Sequence, residues 1–368
     1  MKLTIDRKDA LTALGFLTEL TDNRATVPIM RNLLLATDGQ TATLTATNLD
    51  AFARIRVPAM VEREGAITLE AARLFQIVRA LPEGADFTLS MDEEHRVTLK
   101  SGRSSFKLST LPARDFPSTY EGGGDVSGQI AARDLSRLLA VGADCADPGE
   151  PRVYFQVTYL HTLGERLRAV STDGKRAIYC EGAAPGGFDL PAGVMVSPRT
   201  AQLMAKMIGL QDGADELTLE CSPTMVGLES ETIRLRSKVI DGQYVQYDRM
   251  MASSNGATLT ADTDMLIGSL KRMIILASEK DHGVKFEIDE QRLRIGTQND
   301  GQESAEEIEA GWSGEPATLR LNAGYLLDIL GHVRTEEVEI RLPGDGVCMS
   351  IGETKEGDWR AVLAPFKG

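Results

Sequence analysis

The 368-residue sequence is poor in the residues that build reactive, disulfide-linked or metal-binding sites. It contains four cysteines, four histidines and two tryptophans, and aromatic residues make up 5% of the chain. The four cysteines lie far apart without a C-x-x-C pair, which favours a reduced, cytoplasmic protein. They are Cys145, Cys180, Cys221 and Cys348. The histidines are equally scattered, which argues against a zinc site.

Motifs of catalysis and of membrane insertion are also missing. The chain has no G-x-S-x-G, H-E-x-x-H, G-x-G-x-x-G or P-loop motif, which argues against an enzyme. Asp262-x-Asp264 could hold a metal ion, but a helix N-cap before Leu266 is the favoured interpretation. The start, MKLTIDRKDALTAL, has charges where a signal peptide is apolar, and no later run could span a bilayer. We therefore expect no catalytic residue, metal, cofactor or membrane contact.

Positive charge is in short supply as well. Lys and Arg total 40 against 54 Asp and Glu, which gives a net charge of −14. A protein that binds the nucleic-acid backbone tightly is usually basic, so this balance argues against one. It does not exclude a protein that surrounds DNA without gripping it. The 42% hydrophobic and 26% charged content is ordinary for globular proteins, and the length fits two or three domains.

What the sequence does contain is a threefold internal repeat. In each copy an amphipathic helix stops, and an alternating strand begins roughly a dozen residues after the helix. The helix and strand residues of the three copies are Leu74, Phe75, Val78 and Leu81 before Phe87, Leu89 and Met91; Leu203, Met204, Met207 and Leu210 before Leu217, Leu219 and Cys221; and Leu326, Leu327, Leu330 and Val333 before Val338, Ile340 and Leu342. Chance would not reproduce spacing, stop and strand together.

Each copy is preceded by a second helix-and-strands unit. These units have helices with apolar faces at Leu11–Leu17, Leu135–Leu139 and Leu266–Ile274, and strands such as Val153–Leu160. Short hairpin connections make the strands antiparallel. The sequence thus predicts an α+β fold of six short helices and six small sheets.

Two segments separate the repeats. The glycine cluster 121–124 could cradle a phosphate, but no strand leads directly into it and no Lys-Ser/Thr follows, so a linker is favoured. Residues 252–256 form a second predicted linker. The predicted domains are 1–120, 127–250 and 257–368.

Basic residues recur on the predicted helices, whereas much of the acidic excess lies elsewhere. They are Arg73, Arg79, Arg133, Arg137, Arg199, Lys206, Lys271 and Arg272. Two hypotheses stay open at this point. The helix faces are either ordinary solvated surfaces or a surface that faces phosphates within an acidic protein.

Several segments, in order along the chain, resemble one family. They are Arg24 with Val27-Pro28-Ile29; Leu81 to Ala85; Ser101 to Pro117; Ser171-Thr172-Asp173-Gly174-Lys175-Arg176; Ser237 to Gly242; Ile275-Leu276; and Ala305 to Ile308. Together they resemble the bacterial DNA sliding clamp, the beta subunit of DNA polymerase III. The resemblance covers essentially the whole chain.

The resemblance implies three clamp domains per chain, each with two helices packed on antiparallel sheets. Two chains would close head to tail into a ring around double-stranded DNA, and the protein would confer processivity without being an enzyme. Expected partners are the clamp loader, replicative and translesion DNA polymerases, and other proteins with a clamp-binding motif. The family also implies a cytoplasmic protein.

The resemblance also implies three sets of site residues. The peptide-binding cleft would comprise Phe155, Thr172, Gly174, Lys175, Arg176, Ala177, Val245, Arg249, Met250, Val362, Ala364, Pro365 and Phe366. The DNA-facing residues would be Arg24, Arg73, Arg79, Arg133, Arg137, Arg199, Lys206, Lys271 and Arg272. The dimer interface would involve Arg103, Phe106, Leu108, Ile275, Leu276, Glu306 and Glu307.

Four positions depart from the family pattern. Lys175 replaces the usual His, Val245 replaces a frequent Pro, and Ala364 and Phe366 each replace a Met of the tail. The pocket is expected to persist with an altered peptide preference, because Ala shortens one wall and Phe stiffens another. The alternatives are a clamp-like scaffold that no longer encircles DNA, or a second clamp of plasmid, phage or repair origin.

Overall fold

Seven helices and 25 strands make up the part of the chain that the computed structural model describes, namely residues 1–21, 24–93, 96–117, 123–210, 216–251, 256–342, 348–353 and 357–366. The helices are α1 (Arg7–Leu17), α2 (Ala71–Ala80), α3 (Ala132–Gly142), α4 (Pro198–Gly209), α5 (Asp248–Met251), α6 (Thr263–Ile274) and α7 (Ala323–Leu330).

The strands alternate with the helices in the order that the repeat predicts. They are β1 (Lys2–Asp6), β2 (Asn32–Asp38), β3 (Thr41–Thr47), β4 (Ala51–Pro58), β5 (Met60–Arg63), β6 (Ala66–Glu70), β7 (Asp86–Met91), β8 (Val97–Ser101), β9 (Ser104–Leu108), β10 (Val126–Ala131), β11 (Thr158–Leu163), β12 (Arg166–Thr172), β13 (Arg176–Ala183), β14 (Val194–Val196), β15 (Glu216–Ser222), β16 (Met225–Glu229), β17 (Ile233–Lys238), β18 (Thr258–Asp262), β19 (Gly283–Asp289), β20 (Arg292–Asn299), β21 (Gln302–Trp312), β22 (Ala317–Asn322), β23 (Glu337–Arg341), β24 (Met349–Glu353) and β25 (Trp359–Leu363).

Six of the helices lie where the repeat predicted them, and the two predicted N-caps, at α1 and α6, are present. The Asp6 carboxylate accepts hydrogen bonds from the first backbone N–H groups of α1, at 2.7 Å from Lys8 and 3.3 Å from Asp9. The Asp262 carboxylate accepts one at 2.8 Å from the Met265 N–H of α6. The cap interpretation of Asp262 is therefore confirmed over the metal interpretation.

The amphipathic helices bury the face that their spacing marks as apolar. In α2, Leu74 and Val78 are buried, and α2 packs on α1, where the Phe75 ring would lie 3.8 Å from a Cβ added to Gly15. In α7, Leu326 and Leu330 are buried in the same way, and α7 packs on α6. Each such side chain contributes about 1.5–3 kcal/mol when it leaves water.

The described strands form three sheets, so the prediction of six small sheets is wrong. The sheets are antiparallel throughout and have five, eight and twelve strands, in the orders β5-β1-β7-β8-β9, β10-β15-β16-β17-β4-β3-β2-β6 and β14-β11-β12-β13-β25-β24-β23-β18-β21-β20-β19-β22. Strands from different repeats join them: β4 pairs with β17, and β13 pairs with β25. Such pairing satisfies backbone N–H and C=O groups that separate sheets would leave at their edges.

Packing divides the chain into two compact units. The first holds the five- and eight-stranded sheets, and the second holds the twelve-stranded sheet. Their residues are Met1–Arg133, Pro185–Leu190 and Gln202–Ile240 for the first unit, and Asp134–Ala184, Pro191–Ala201 and Asp241–Gly368 for the second.

One predicted strand begins later than expected. Val153–Phe155 is a 3₁₀ turn, and the strand starts at Thr158. Pro151 fixes its own φ just before the turn, and local hydrogen bonds then form, at 2.9 Å from the Phe155 N–H to the carbonyl of Arg152. The predicted linkers at 121–124 and 252–256 lie largely outside the described residues.

Candidate functional site

The segment Thr172–Arg176, between β12 and β13, forms a tight hydrogen-bonded turn, called here the cleft turn. The Thr172 hydroxyl donates to the Arg176 carbonyl at 2.6 Å and accepts from the Gly174 N–H at 3.1 Å. The Asp173 carboxylate accepts from the N–H groups of Lys175 and Arg176 at 2.8 and 2.9 Å. The hairpin turn predicted from Thr172-Asp173-Gly174 is therefore present, and its side chains fix its shape.

A phenylalanine lies directly on the glycine of this turn. Gly174 has a φ of +83°, and a Cβ added there would lie 2.9 Å from the Phe155 Cζ atom. The Arg152 guanidinium lies 4.3 Å from the centroid of the same ring. Both the backbone conformation and the ring contact therefore favour glycine at this position.

The last strand of the chain runs beside the cleft turn. Ala177 of β13 pairs with Val362 of β25, and both side chains are at most 1% exposed. The Ala364 N–H then donates to the Lys175 carbonyl at 2.9 Å. Two residues later, the Phe366 N–H donates to a backbone carbonyl on β22 at 2.7 Å. The segment Ala364–Phe366 is half-buried, next to the buried pair Ala177 and Val362.

A buried polar chain fixes the segment that carries the remaining predicted cleft residues. Arg168 donates to the Tyr247 hydroxyl at 3.2 Å, and that hydroxyl lies 2.7 Å from His161 Nε2. His161 Nδ1 lies 3.1 Å from the carbonyl of Thr162, so we assign the proton to Nδ1 and the acceptor role to Nε2. Burial lowers the pKa of His161, which favours this neutral form. Helix α5 follows directly and packs on β25.

Within that segment the predicted residues differ in exposure. Arg249 of α5 is exposed, whereas Val245 and Met250 are half-buried. Gly174 and Lys175 of the cleft turn are also exposed, so polar side chains and backbone groups form the surface here. Thr172, Ala177 of β13 and Val362 of β25 are buried.

Sequence reasoning missed two residues of α7 that contact the cleft turn. The Tyr325 ring lies 4.4 Å from the Arg176 guanidinium carbon, and its hydroxyl lies 3.4 Å from Lys175 Nζ. The Asp328 carboxylate is 2.7 Å from Arg176. Tyr325 and Asp328 are three residues apart and so share a helix face. The sequence signal that could have identified them is this pair of polar side chains on an otherwise apolar helix.

The predicted DNA-facing residues lie on four helices, except Arg24, which follows α1. Arg73 and Arg79 are on α2, Arg133 and Arg137 on α3, Arg199 and Lys206 on α4, and Lys271 and Arg272 on α6. Four of them have carboxylate partners in the described part of the chain: Arg73 with Glu70, Lys206 with Glu19, Arg272 with Glu306, and Arg137 with Asp358. The Arg137 side chain is only 14% exposed.

The predicted interface residues fall on two surfaces, one in each compact unit. Phe106 and Leu108 lie on β9, an outer strand of the five-stranded sheet, and both are half-buried; Arg103 is exposed in the turn before β9. On the other surface, Ile275 at the end of α6 is 78% exposed, while Leu276 beside it is half-buried.

Two glutamates on β21 complete the second surface. The Glu306 carboxylate accepts hydrogen bonds from Arg272 at 2.5 and 2.9 Å, and these bonds lower the pKa of Glu306. Glu307 lies 3.5 Å from Arg292. The Arg272–Glu306 pair therefore ties the end of α6 to β21.

The chain is similar along its whole length to proteins from two bacteria. The chain is 35% identical to the beta sliding clamp of Caulobacter vibrioides over 381 residues and 32% identical to that of Escherichia coli K12 over 376 residues, with 100% of both chains covered in each case. Two family models match, described as the N-terminal and C-terminal domains of the DNA polymerase III beta subunit, over residues 1–120 and 249–367. The chain belongs to the bacterial beta sliding clamp family.

Solved structures agree with this assignment. The Caulobacter crescentus beta sliding clamp has a TM-score of 0.93 at 32% identity, and the Pseudomonas aeruginosa clamp bound to griselimycin has a TM-score of 0.92 at 28% identity; each alignment covers 100% of both chains. The α+β clamp fold is thereby confirmed. The protein is a DNA sliding clamp, the non-catalytic processivity subunit of DNA polymerase III. Across the whole chain, this similarity favours a processivity clamp over the scaffold alternative.

The described part of the sliding clamp shows neither a cluster of metal ligands nor a membrane-spanning helix. Within the described ranges, His, Cys, Asp and Glu form no group of three or more that could hold a metal ion. Among the helices that the structure describes, none is both long and apolar enough to cross a membrane.

Replacing Gly174 by alanine tests the contact between the cleft turn and Phe155. We expect Gly174→Ala to lower the free energy of unfolding by about 2–4 kcal/mol, because it adds a steric clash to the backbone strain of a positive φ. The matched control is Gly187→Ala, which has a φ of +76° but no atom within 4 Å of an added Cβ. It should cost about 1 kcal/mol, through strain alone.

Urea denaturation at fixed protein concentration measures both effects. If the ring contact makes Gly174→Ala more destabilising than Gly187→Ala, the extra loss should disappear without the ring. In a Phe155→Ala background, Gly174→Ala should therefore lower the free energy of unfolding by no more than Gly187→Ala does. Equal costs for Gly174→Ala and Gly187→Ala in the otherwise unchanged protein would contradict the predicted contact.

Proposed function

We propose that this sliding clamp closes as a head-to-tail homodimer around duplex DNA and tethers partner proteins through a peptide cleft built on the cleft turn and β25. The observation that carries the proposal is the Gly174–Phe155 turn bonded to the last strand, within a chain that matches clamps over its full length. We propose clamp domains at 1–120, 127–250 and 257–368; the ranges of the two matching family models support the first and third.

Two incompletely paired strands support closure of a ring. The outer edge of β9 ends the five-stranded sheet. Strand β21 lies between β20 and β18. Its residues 302–309 pair with β20 on one side, whereas β18 on the other side pairs with Ala310–Trp312 alone. Among the described strands, the second edge of residues 302–309 is therefore open. Open antiparallel edges can continue a sheet across a subunit boundary. The exposed Ile275 is the apolar side chain that such a seam would bury.

Charged residues at this seam would contribute little energy. Arg103 of one subunit could pair with Glu307 of the partner subunit, but exposed ion pairs are worth about 0–1 kcal/mol each. Apolar contacts between Phe106 and Leu108 on one side and Ile275 and Leu276 on the other would supply most of the stabilisation.

Replacing Ile275 and Leu276 together by alanine should yield monomers at micromolar concentration. A closed head-to-tail dimer has two seams, so each substitution acts twice, and dimer affinity should fall by roughly a thousandfold or more. Sedimentation velocity measures the change. Met60→Ala is the control, because Met60 on β5 is 71% exposed but lies outside the proposed seam. A wild-type chain that is monomeric at micromolar concentration would rule out the ring.

Basic helix residues supply the proposed DNA-facing surface. We propose phosphate contacts from Arg24, Arg73, Arg79, Arg133, Arg199, Lys206, Lys271 and Arg272. Arg137 is left out, because Asp358 holds its buried guanidinium in two hydrogen bonds. The partners Glu70, Glu19 and Glu306 reduce the attraction that Arg73, Lys206 and Arg272 can exert. Weak contact suits a ring that must slide.

DNA binding by the clamp should be weak, salt-sensitive and independent of sequence. Replacing Arg73 by alanine should weaken binding equally for unrelated duplexes and reduce the slope of log affinity against log salt by about 0.9 for one lost phosphate contact. Lys285→Ala is the control, because Lys285 is an exposed residue of strand β19 rather than of a helix, with Glu287 at 2.5 Å. Fluorescence anisotropy measures the slopes. Tight binding to one defined sequence at physiological salt would contradict the proposal.

The proposed cleft would open before a peptide binds. Its floor, Val362 and Ala177, is covered, so an apolar anchor would reach it only after movement of Phe155 or of the segment Ala364–Phe366. Lys175 remains exposed at the rim, beside Tyr325. A fixed positive charge here favours partner peptides with an acidic residue next to the anchor.

Lys175→His should reduce the preference for acidic peptides and leave binding of neutral ones nearly unchanged. The expected change is at most about fivefold, because a solvent-screened rim charge contributes no more than about 1 kcal/mol. Calorimetry with paired acidic and neutral peptides measures it. Phe366→Ala should weaken both peptides equally, and unchanged affinity in that variant would show that the cleft is assigned wrongly. If the wild-type protein binds both peptides but shows no preference for the acidic one, only the argument about Lys175 is wrong.

A further inference from the structure

A second turn in the chain repeats the hydrogen bonds of the cleft turn one for one. This turn, Thr47–Ala51, lies between β3 and β4 in the first compact unit. The Thr47 hydroxyl donates to the Ala51 carbonyl at 2.9 Å and accepts from the Leu49 N–H at 3.0 Å. The Asn48 side-chain oxygen accepts from the N–H groups of Asp50 and Ala51 at 3.1 and 2.7 Å. The cleft turn has the same four bonds at the same relative positions.

The strand beside each turn is repeated too. β4 pairs with β17 as β13 pairs with β25, so Phe52 lies opposite Arg236 where Ala177 lies opposite Val362. The Lys238 N–H donates to the carbonyl of the turn residue Asp50 at 2.8 Å, which matches the Ala364 bond to Lys175. The framework of the proposed cleft is therefore present twice.

The two copies differ at the residue with positive φ. Leu49 has a φ of +74° and stands where the cleft turn has Gly174 at +83°. A leucine in this region is strained, and such strain persists mainly at functional sites. In the cleft turn the Phe155 ring packs against one side of the exposed glycine, whereas the Leu49 side chain is itself 59% exposed. Among the described residues, the second copy thus presents an exposed apolar side chain where the first presents a glycine backed by a ring.

An apolar groove lies at this second turn. It has a volume of about 390 Å³, within the range of ligand-binding pockets. Leu49, Phe52, Pro117 and Met225 contribute apolar lining. Lys238 Nζ lies 3.0 Å from the Asp50 carboxylate at the rim, and both side chains are exposed, so incoming polar groups can exchange with this pair.

We propose that this groove is a second docking site, which binds a short extended segment of a partner protein through an aliphatic or aromatic side chain. The inference rests on the proposed function of the cleft turn, whose backbone framework it shares. A peptide is the occupant that this framework fits, because a turn and a strand flank an apolar floor with a polar rim. Each chain would then offer two docking points, one closed at rest and one open.

Two methionines report on the two sites separately in the intact protein. With ¹³C-methyl-labelled methionine, the Met225 signal reports on the groove and the Met250 signal on the cleft. The probe is acetyl-Asn-Leu-Phe-amide, added to millimolar concentration. We expect saturable shifts of both signals with different midpoints.

Substitution at Leu49 tests the groove itself. Leu49→Asp should weaken the Met225 response at least tenfold and leave the Met250 response unchanged, whereas Leu49→Met should retain both. The matched control is Leu163→Asp, since Leu163 on β11 is a similarly exposed leucine outside both sites. It should leave both responses unchanged.

The possible outcomes separate this inference from the proposed function. A Met250 response without a Met225 response overturns the second site and leaves the cleft proposal intact. A Met225 response alone, lost in Leu49→Asp, supports the groove and counts against the cleft. Absence of both responses overturns both. A Met225 shift that grows with protein concentration without peptide would assign the groove to contact between copies of the chain and overturn the proposal.

Discussion

Pairing between strands of different repeats is the constraint on which the rest of this clamp depends. β4 pairs with β17 and β13 with β25, so strands that would end separate sheets lie inside continuous ones. Each pairing starts next to a turn whose side chains bond to its own backbone. The turns are thus held from both sides, by local hydrogen bonds and by a neighbouring strand from far along the sequence. A site built on such a frame is rigid in its backbone and variable in its side chains.

Basic residues recur on the helices of this acidic protein, and several of them are paired with carboxylates. The chain carries a net charge of −14, yet basic residues recur on α2, α3, α4 and α6. Several are restrained by carboxylates, as Lys206 is by Glu19. Partial pairing lowers the attraction of each cation for an anion without removing its charge from the surface. Such a surface suits contacts that must form and break repeatedly.

The sequence predicted the helices well because their signals are local. Periodic apolar residues located α2, α4 and α7, and a carboxylate at position 262 located the start of α6. The number of sheets could not be predicted in this way. Nothing in the alternation of β4 or β25 reveals which strand it will meet, because pairing between repeats depends on geometry that spans much of the chain.

The same distinction holds for the candidate site. Resemblance supplied Gly174 and Phe155 as separate positions, and the structure adds the reason that they occur together, a ring lying where a Cβ would be. Tyr325 and Asp328 were missed because they lie on α7, which is far from the cleft turn in the sequence. Arg137 was predicted as a DNA-facing residue, but its partner Asp358 is distant in sequence and could not be inferred from local pattern.

The large sequence separation between β13 and β25 has a consequence for synthesis. β13 is translated well before the strand that covers its edge. At 5–20 residues per second, β13 waits on the order of ten seconds or more with an unpaired edge. During that interval the nascent chain presents an open template for pairing with neighbouring nascent chains. Pairing between distant repeats therefore lengthens the time for which a strand edge stays exposed during synthesis.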